Sequence, residues 1–143
     1  MRSYVRQKLT GVRQAQLRYI LAKEKAEQFD AMICSPVPSS GGGGGKSSKD
    51  NFTEKMLIKA MAYHEEAEEL LRAAVMQREI GEGYAALLKN QTEKEVVTRR
   101  YIMCQSWEQI CDSMHYCERQ VMRIHKRAID ELEKMSLNVS KFL

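Results

Sequence analysis

Proline is nearly absent from this sequence. Its two copies, Pro36 and Pro38, share one short stretch, so the long segments on either side lack the residue that most effectively breaks a helix. Phe and Trp are scarce as well, with three of the first and one of the second. No apolar run approaches the roughly 18 residues that cross a bilayer. The opening "MRSYVRQKLTGVRQ" places charges where a secretion signal carries its apolar stretch. These absences predict a cytoplasmic protein with no membrane partner, whose four cysteines, Cys34, Cys104, Cys111 and Cys117, stay reduced.

What is present is helix-forming. Leu, Met, Ala, Glu, Lys, Arg and Gln dominate the 143 residues, and the predicted fold class is all-α. The formal charge of +4 permits a nucleic-acid partner without demanding one. Its distribution is more telling. Arg2, Arg6, Lys8, Arg13, Arg18, Lys23 and Lys25 crowd the first 28 residues, whereas "HEEAEEL" further on is acidic. Such asymmetry suits two helices that attract each other, or a basic arm that touches phosphate.

Hydrophobic spacing divides the chain. Val5, Leu9, Val12, Gln16 and Tyr19 alternate at four and three within a basic N-terminal helix (1–33), and Leu17, Ile20 and Leu21 widen the stripe. Residues 34–51, "CSPVPSSGGGGGKSSKDN", read as a flexible Ser/Gly linker. Within it "SGGGGGKS" nearly matches a phosphate-cradling loop, but Ser40 replaces the first glycine and no buried strand precedes it. A long second helix (52–87) is capped by Asp50, Asn51 or Thr53. It carries Met56, Ala60, Tyr63, Ala67, Leu70 and Ala74 as a coiled-coil seam, flanked by Leu57, Met61, Leu71 and Val75. The two stripes predict an antiparallel, coiled-coil-like hairpin, with self-association through it as one outcome. Gly81 and Gly83 read as a hinge before a last domain (88–135), and 136–143 as a frayed tail.

In that last domain Thr92 and Glu95 suggest a capping box, followed by a helix "EKEVVTRRYIM". Ser106 then caps a short helix "WEQICDSM", "HYC" turns, and Cys117 caps "ERQVMRIHKRAIDELEKM". A helix-turn-helix needs apolar residues at fixed places and a small residue where its helices cross. Counting from Trp107, the residues Ile110, Met114, Tyr116, Val121 and Ile124 fill those places, and Cys111 falls at the crossing. His115 stands where glycine is usual and must take a left-handed backbone.

With Val121, Ile124, Ala128 and Leu132 committed to the core, helical spacing exposes Glu118, Arg119, Gln120, Met122, Arg123, Lys126 and Arg127. Arginine donates in pairs to guanine, glutamine pairs with adenine, and glutamate accepts from cytosine. Glu118, Arg119, Gln120 and Arg123 are therefore the predicted base readers, and Arg99, Arg100, Lys126 and Arg127 the phosphate contacts. Double-stranded DNA is the predicted partner.

Other chemistries find little footing. Cys104, Cys111, Cys117 and His115 lack the C-x-x-C knuckle of a zinc site. "HEEAEE" has Ala67 and Glu68 where a zinc helix needs its second histidine. His64, His115 and His125 have no nucleophile or carboxylate constellation, so no enzyme, metal or cofactor is expected.

The run "TEKEVVTRRYIMCQSWEQICDSMHYCERQVMRIHKRAIDELEK" resembles region 4 of bacterial sigma-70-type factors, over about a third of the chain. With the basic first helix and the Ser/Gly linker, the layout is similar to phage and prophage late transcription regulators of the ArpU and RinA kind. The resemblance implies a transcription regulator working in a bacterial host cell, with the major groove read by Glu118, Arg119 and Arg123 and with Gln120 adjacent. The family commonly places Arg before Glu at the first two positions; here the order is reversed, so its promoter consensus does not transfer. Residues 1–85 lack the aromatic cluster with which a complete sigma factor melts DNA. Contact with RNA polymerase, or a role in phage DNA packaging like that of a terminase small subunit, stay open as alternatives.

Overall fold

The structure, a computed structural model, describes the backbone of residues 3–34 and 46–141 and the side chains of residues 3–34 and 51–137. Every regular element among them is helical, as composition predicts. These are α1 (Tyr4–Cys34), α2 (Lys46–Leu87), α3 (Gln91–Val97), α4 (Trp107–Met114) and α5 (Glu118–Lys141), and a π-helical turn, Thr98–Ile102, continues α3. Three boundaries differ from expectation. Helix α2 starts at Lys46, so Asp50, Asn51 and Thr53 lie inside it rather than capping it; the Ser/Gly run 35–45 lies outside the described residues. Helix α5 continues through the predicted tail to Lys141, since "SLNVSK" contains neither Gly nor Pro to stop it. Asn90, not Thr92, caps α3, its Oδ1 accepting from the N–H groups of Thr92 (2.9 Å) and Glu93 (3.2 Å).

Two compact units make up the chain, residues 1–17 with 73–143, and Arg18–Arg72. In the smaller unit the seam is built from Ala22, Ala26, Ala60 and Ala67, all buried. Phe29 meets Tyr63 edge-on with ring centroids 5.1 Å apart, and Lys25 lies 4.6 Å above the Tyr63 ring. Such small seam residues let helices approach closely, which leaves the flanking Leu21, Leu57, Ile58 and Met61 exposed rather than widening the core.

The larger unit does not begin at residue 88. Val5 and Leu9 of α1 and Ala85 at the end of α2 join Leu88, Val97, Tyr101, Ile102, Ala128, Ile129 and Leu132 in one buried cluster. Helices α3 and α4 are short, and with α5 they have too little mutual surface to bury all their apolar faces; the two longer helices supply the missing wall. Val12 faces Gly81 and the Gln16 amide donates to the Ala74 carbonyl at 2.6 Å, so the α1 and α2 segments of this unit run in opposite senses. The first helix is also held at its start, where Glu133 of α5 accepts from Ser3 Oγ and, at 2.7 Å, from the Val5 N–H. A carboxylate at a helix N-terminus is favourably placed against the dipole.

The glycines expected to form a hinge do not interrupt α2. Gly81 is buried, and a Cβ there would stand 3.0 Å from Val12 Cγ1 and 3.4 Å from Ile102 Cγ1, whereas one on Gly83 would meet nothing within 4 Å. Gly81 thus serves close packing, and Gly83 only costs helix propensity. Gly83→Ala is expected to raise unfolding stability by about 0.5–1 kcal/mol. Gly81→Ala, pressing on the fully buried Val12, is expected to lower it by about 1 kcal/mol. Urea unfolding of the two variants checks this, and equal gains at both positions would remove the packing role of Gly81.

Candidate nucleic-acid interface

Ser106 starts α4 through a reciprocal pair of bonds. Its Oγ accepts from the Gln109 N–H at 3.2 Å, and Gln109 Oε1 accepts from the Ser106 N–H at 2.9 Å. Nine residues later His115 adopts φ 59 and ψ 38, the left-handed conformation its position requires, and ends the helix. Only two residues then separate it from Glu118, the first of α5, and Cys117 precedes the new helix with its carbonyl accepting from Val121 at 3.0 Å.

Seven residues were singled out as the framework of this pair of helices, and the structure gathers all of them. Ile110, Val121 and Ile124 are buried together, and Trp107, Cys111, Met114 and Tyr116 pack against them. Val96 completes the cluster, while its neighbour Val97 enters the other. Helix α3 therefore sits between two cores. The π-helical turn that follows, closed by the Met103 N–H donating to Thr98 O at 2.9 Å, allows Tyr101 and Ile102 to bury in sequence.

A further residue in this region was not anticipated. His125 is buried at 3% exposure, with Nε2 2.6 Å from the Tyr101 hydroxyl and its ring 4.9 Å from Trp107 in an edge-on contact. Burial, with the positive charges of Arg6 and Arg100 nearby, pushes its pKa down to about 4. The signal was present, since position 125 lies one turn from Val121 on the same stripe as Ala128 and Leu132, yet histidine is not counted among apolar residues. The guanidinium of Arg100 lies over Trp107, 4.3 Å from the ring centroid.

The opposite face of α5 is open. Glu118, Arg119, Gln120, Arg123, Lys126 and Arg127 are exposed, and Met122 is half-buried instead of exposed. Arg119, Gln120, Arg123 and Arg127 line one groove of about 250 Å³ with Cys117 and Ile124. The three arginines are spaced four apart, so their guanidiniums fall on one line, and none forms an ion pair among the described residues. Glu118 stands apart from them. It lines a different groove, of about 500 Å³, with Trp107, Glu108, Cys111, Asp112, Tyr116 and Cys117. Of the four predicted base readers, the structure brings three together and turns the fourth toward α4.

Arg99 and Arg100 have local partners. Arg99 Nε donates to Glu95 Oε1 at 2.9 Å, and Arg100 Nη1 donates to the Gln105 carbonyl at 3.3 Å. The four cysteines are free thiols, and among the described residues no three His, Cys, Asp or Glu side chains are placed to hold a metal ion. No described helix is long and apolar enough to cross a membrane. Comparison of the chain with protein-family models, curated proteins and solved structures finds no match.

The depressed basicity of His125 has a consequence for stability. As pH falls through 6.5 the unfolded chain protonates this imidazole, whereas the folded protein resists until about 4. The unfolded state binds more protons in that window, so the contribution is complete above 6.5 and is lost between 6.5 and about 4, by up to about 3 kcal/mol. Urea midpoints of the wild type should fall across this range. In His125→Gln, which keeps a polar partner for Tyr101, the fall should be much smaller, and parallel curves for the two proteins would remove the assignment.

Proposed function

We propose that the protein is a sequence-specific DNA-binding regulator of transcription, of phage or prophage origin, that reads the major groove with α5 of a helix-turn-helix. The observation that carries this reading is the line of Arg119, Arg123 and Arg127, without an ion pair among the described residues, beside Gln120 in a groove on the exposed face of a helix whose back is packed. Three guanidiniums one turn apart repel one another by some tenths of a kcal/mol per pair. No ion pair among the described residues offsets that repulsion, whereas an anionic duplex does. Arg119, Gln120 and Arg123 then take base edges, and Lys126 and Arg127 take phosphates. The likeness of residues 88–135 to sigma-70 region 4 supports the same reading, and with it an α1–α2 antiparallel hairpin carrying a helix-turn-helix.

A partner of another kind fits the groove on the α4 side. Glu108, Asp112 and Glu118 repel phosphate there and flank the apolar Trp107 and Tyr116, which favours a protein, such as RNA polymerase, on that side. Exposed Leu21, Leu57, Ile58 and Met61 in the Arg18–Arg72 unit support self-association through the hairpin.

Selection from random duplex DNA at about 150 mM salt, where phosphate-only binding is weak, tests the proposal. A motif is expected from the wild type and none from Arg119→Ala/Arg123→Ala; a palindromic motif would also report a dimer. Enrichment of no sequence by the wild type would sink the reading. Within a motif, Arg123→Ala should relax preference at one base position at a cost of about 1–3 kcal/mol, whereas Lys126→Ala should weaken all sequences alike.

A further inference from the structure

We propose that Arg13, Arg99 and Arg100 form a preorganised site for one phosphate oxyanion, supplied by the DNA backbone; only this choice of source rests on the DNA-binding reading above. The three side chains come from α1 and from the π-helical turn and converge on Gln105, the residue before the α4 cap. Arg13 Nη1 donates to the carbonyls of Arg100 (2.8 Å) and Gln105 (3.1 Å). Arg100 Nη1 donates to the same Gln105 carbonyl at 3.3 Å, and Arg99 Nη1 reaches Gln105 Oε1 at 3.4 Å. One carboxylate, Glu95, pairs with Arg99; Arg13 and Arg100 have none among the described residues.

Neutral oxygens do not need three charges around them. Two carbonyls and one amide would be satisfied by neutral donors, and like charges this close oppose one another; burial first, and then Arg13 beside it, lower the basicity of Arg100. Each guanidinium has five N–H groups in a planar fork; the bonds above use only Nη1 of Arg13 and Arg100, and Nη1 and Nε of Arg99. No buried side-chain nitrogen lacks a partner among the described residues, so the unused donors of Arg13 and Arg100 reach solvent. The forks are fixed, Arg100 by its seat on Trp107 and Arg13 by its two carbonyls. Forks held in this way match the paired oxygens of a phosphodiester. The site flanks the N-terminus of α4, where the helix dipole adds to the attraction.

Two measurements on the full chain test the site. In a salt series on the selected duplex, Arg13→Gln should flatten the slope of log K against log salt by about 0.9, so that a fourfold rise in salt costs it roughly threefold to fourfold less affinity than it costs the wild type. The base preference should not change, and Arg13→Lys, which keeps the charge, should recover the slope. Without DNA, inorganic phosphate against chloride at equal ionic strength should raise the melting temperature of the wild type and of Arg119→Gln/Arg123→Gln, but not of Arg13→Gln. If circular dichroism shows that Arg13→Gln has lost its helices, Arg99→Gln takes its place in both measurements. A phosphate response that depends on Arg13 in a protein that selects no DNA sequence keeps the site, assigns it to a free phosphate group and overturns the DNA reading alone. An unchanged slope and an unchanged phosphate response in the variants overturn the site.

Discussion

The Tyr101 hydroxyl and His125 Nε2 meet at 2.6 Å in the interior, and the larger unit is organised around that contact. It joins the π-helical turn to the middle of α5. A buried imidazole without a partner is costly, so the bond fixes both the rotation of α5 about its axis and the register of the turn. Trp107 packs edge-on against His125, and Arg100 lies over Trp107. The exposed face of α5 is aimed by what lies behind it: with His125 turned inward, Arg119, Arg123 and Arg127 are turned out.

Apolar pattern made the helix types and the framework of the α4–α5 pair legible in advance. Trp107, Ile110, Cys111, Met114, Tyr116, Val121 and Ile124 follow from spacing, because a short helix crossing a longer one has few arrangements that bury its side chains. His115 was legible for the same reason, since the turn demands a left-handed residue whatever its identity. Seam positions such as Val5, Leu9, Val12, Ala60 and Ala67 were legible as well, because only the inward side of a helix repeats every three to four residues.

What could not be read depends on contacts between distant segments. The hinge reading of Gly81 failed because the reason for that glycine is Val12, on another helix, and no local rule contains it. The boundary at residue 88 failed because Val5, Leu9 and Ala85 are needed by a core whose other members lie beyond residue 96. Arg13 looked like one more cation on a basic helix, and its partners are carbonyls at residues 100 and 105. Glu118 was grouped with Arg119 by adjacency, yet neighbours on a helix point 100 degrees apart, enough to place them in different grooves.

The clasp of Glu133 on Ser3 and Val5 sets the order in which the chain can be completed. The Val5 contact spans 128 residues of sequence, so the larger unit closes only after α5 has been synthesised, and α1 must wait with Val5 and Leu9 uncovered while the helices between are made. Long-range closure of this kind slows folding in comparison with bundles whose neighbours in sequence are neighbours in space. During synthesis the first helix is the segment most open to capture by other chains, and the protein reaches its working form by joining its first helix to its last.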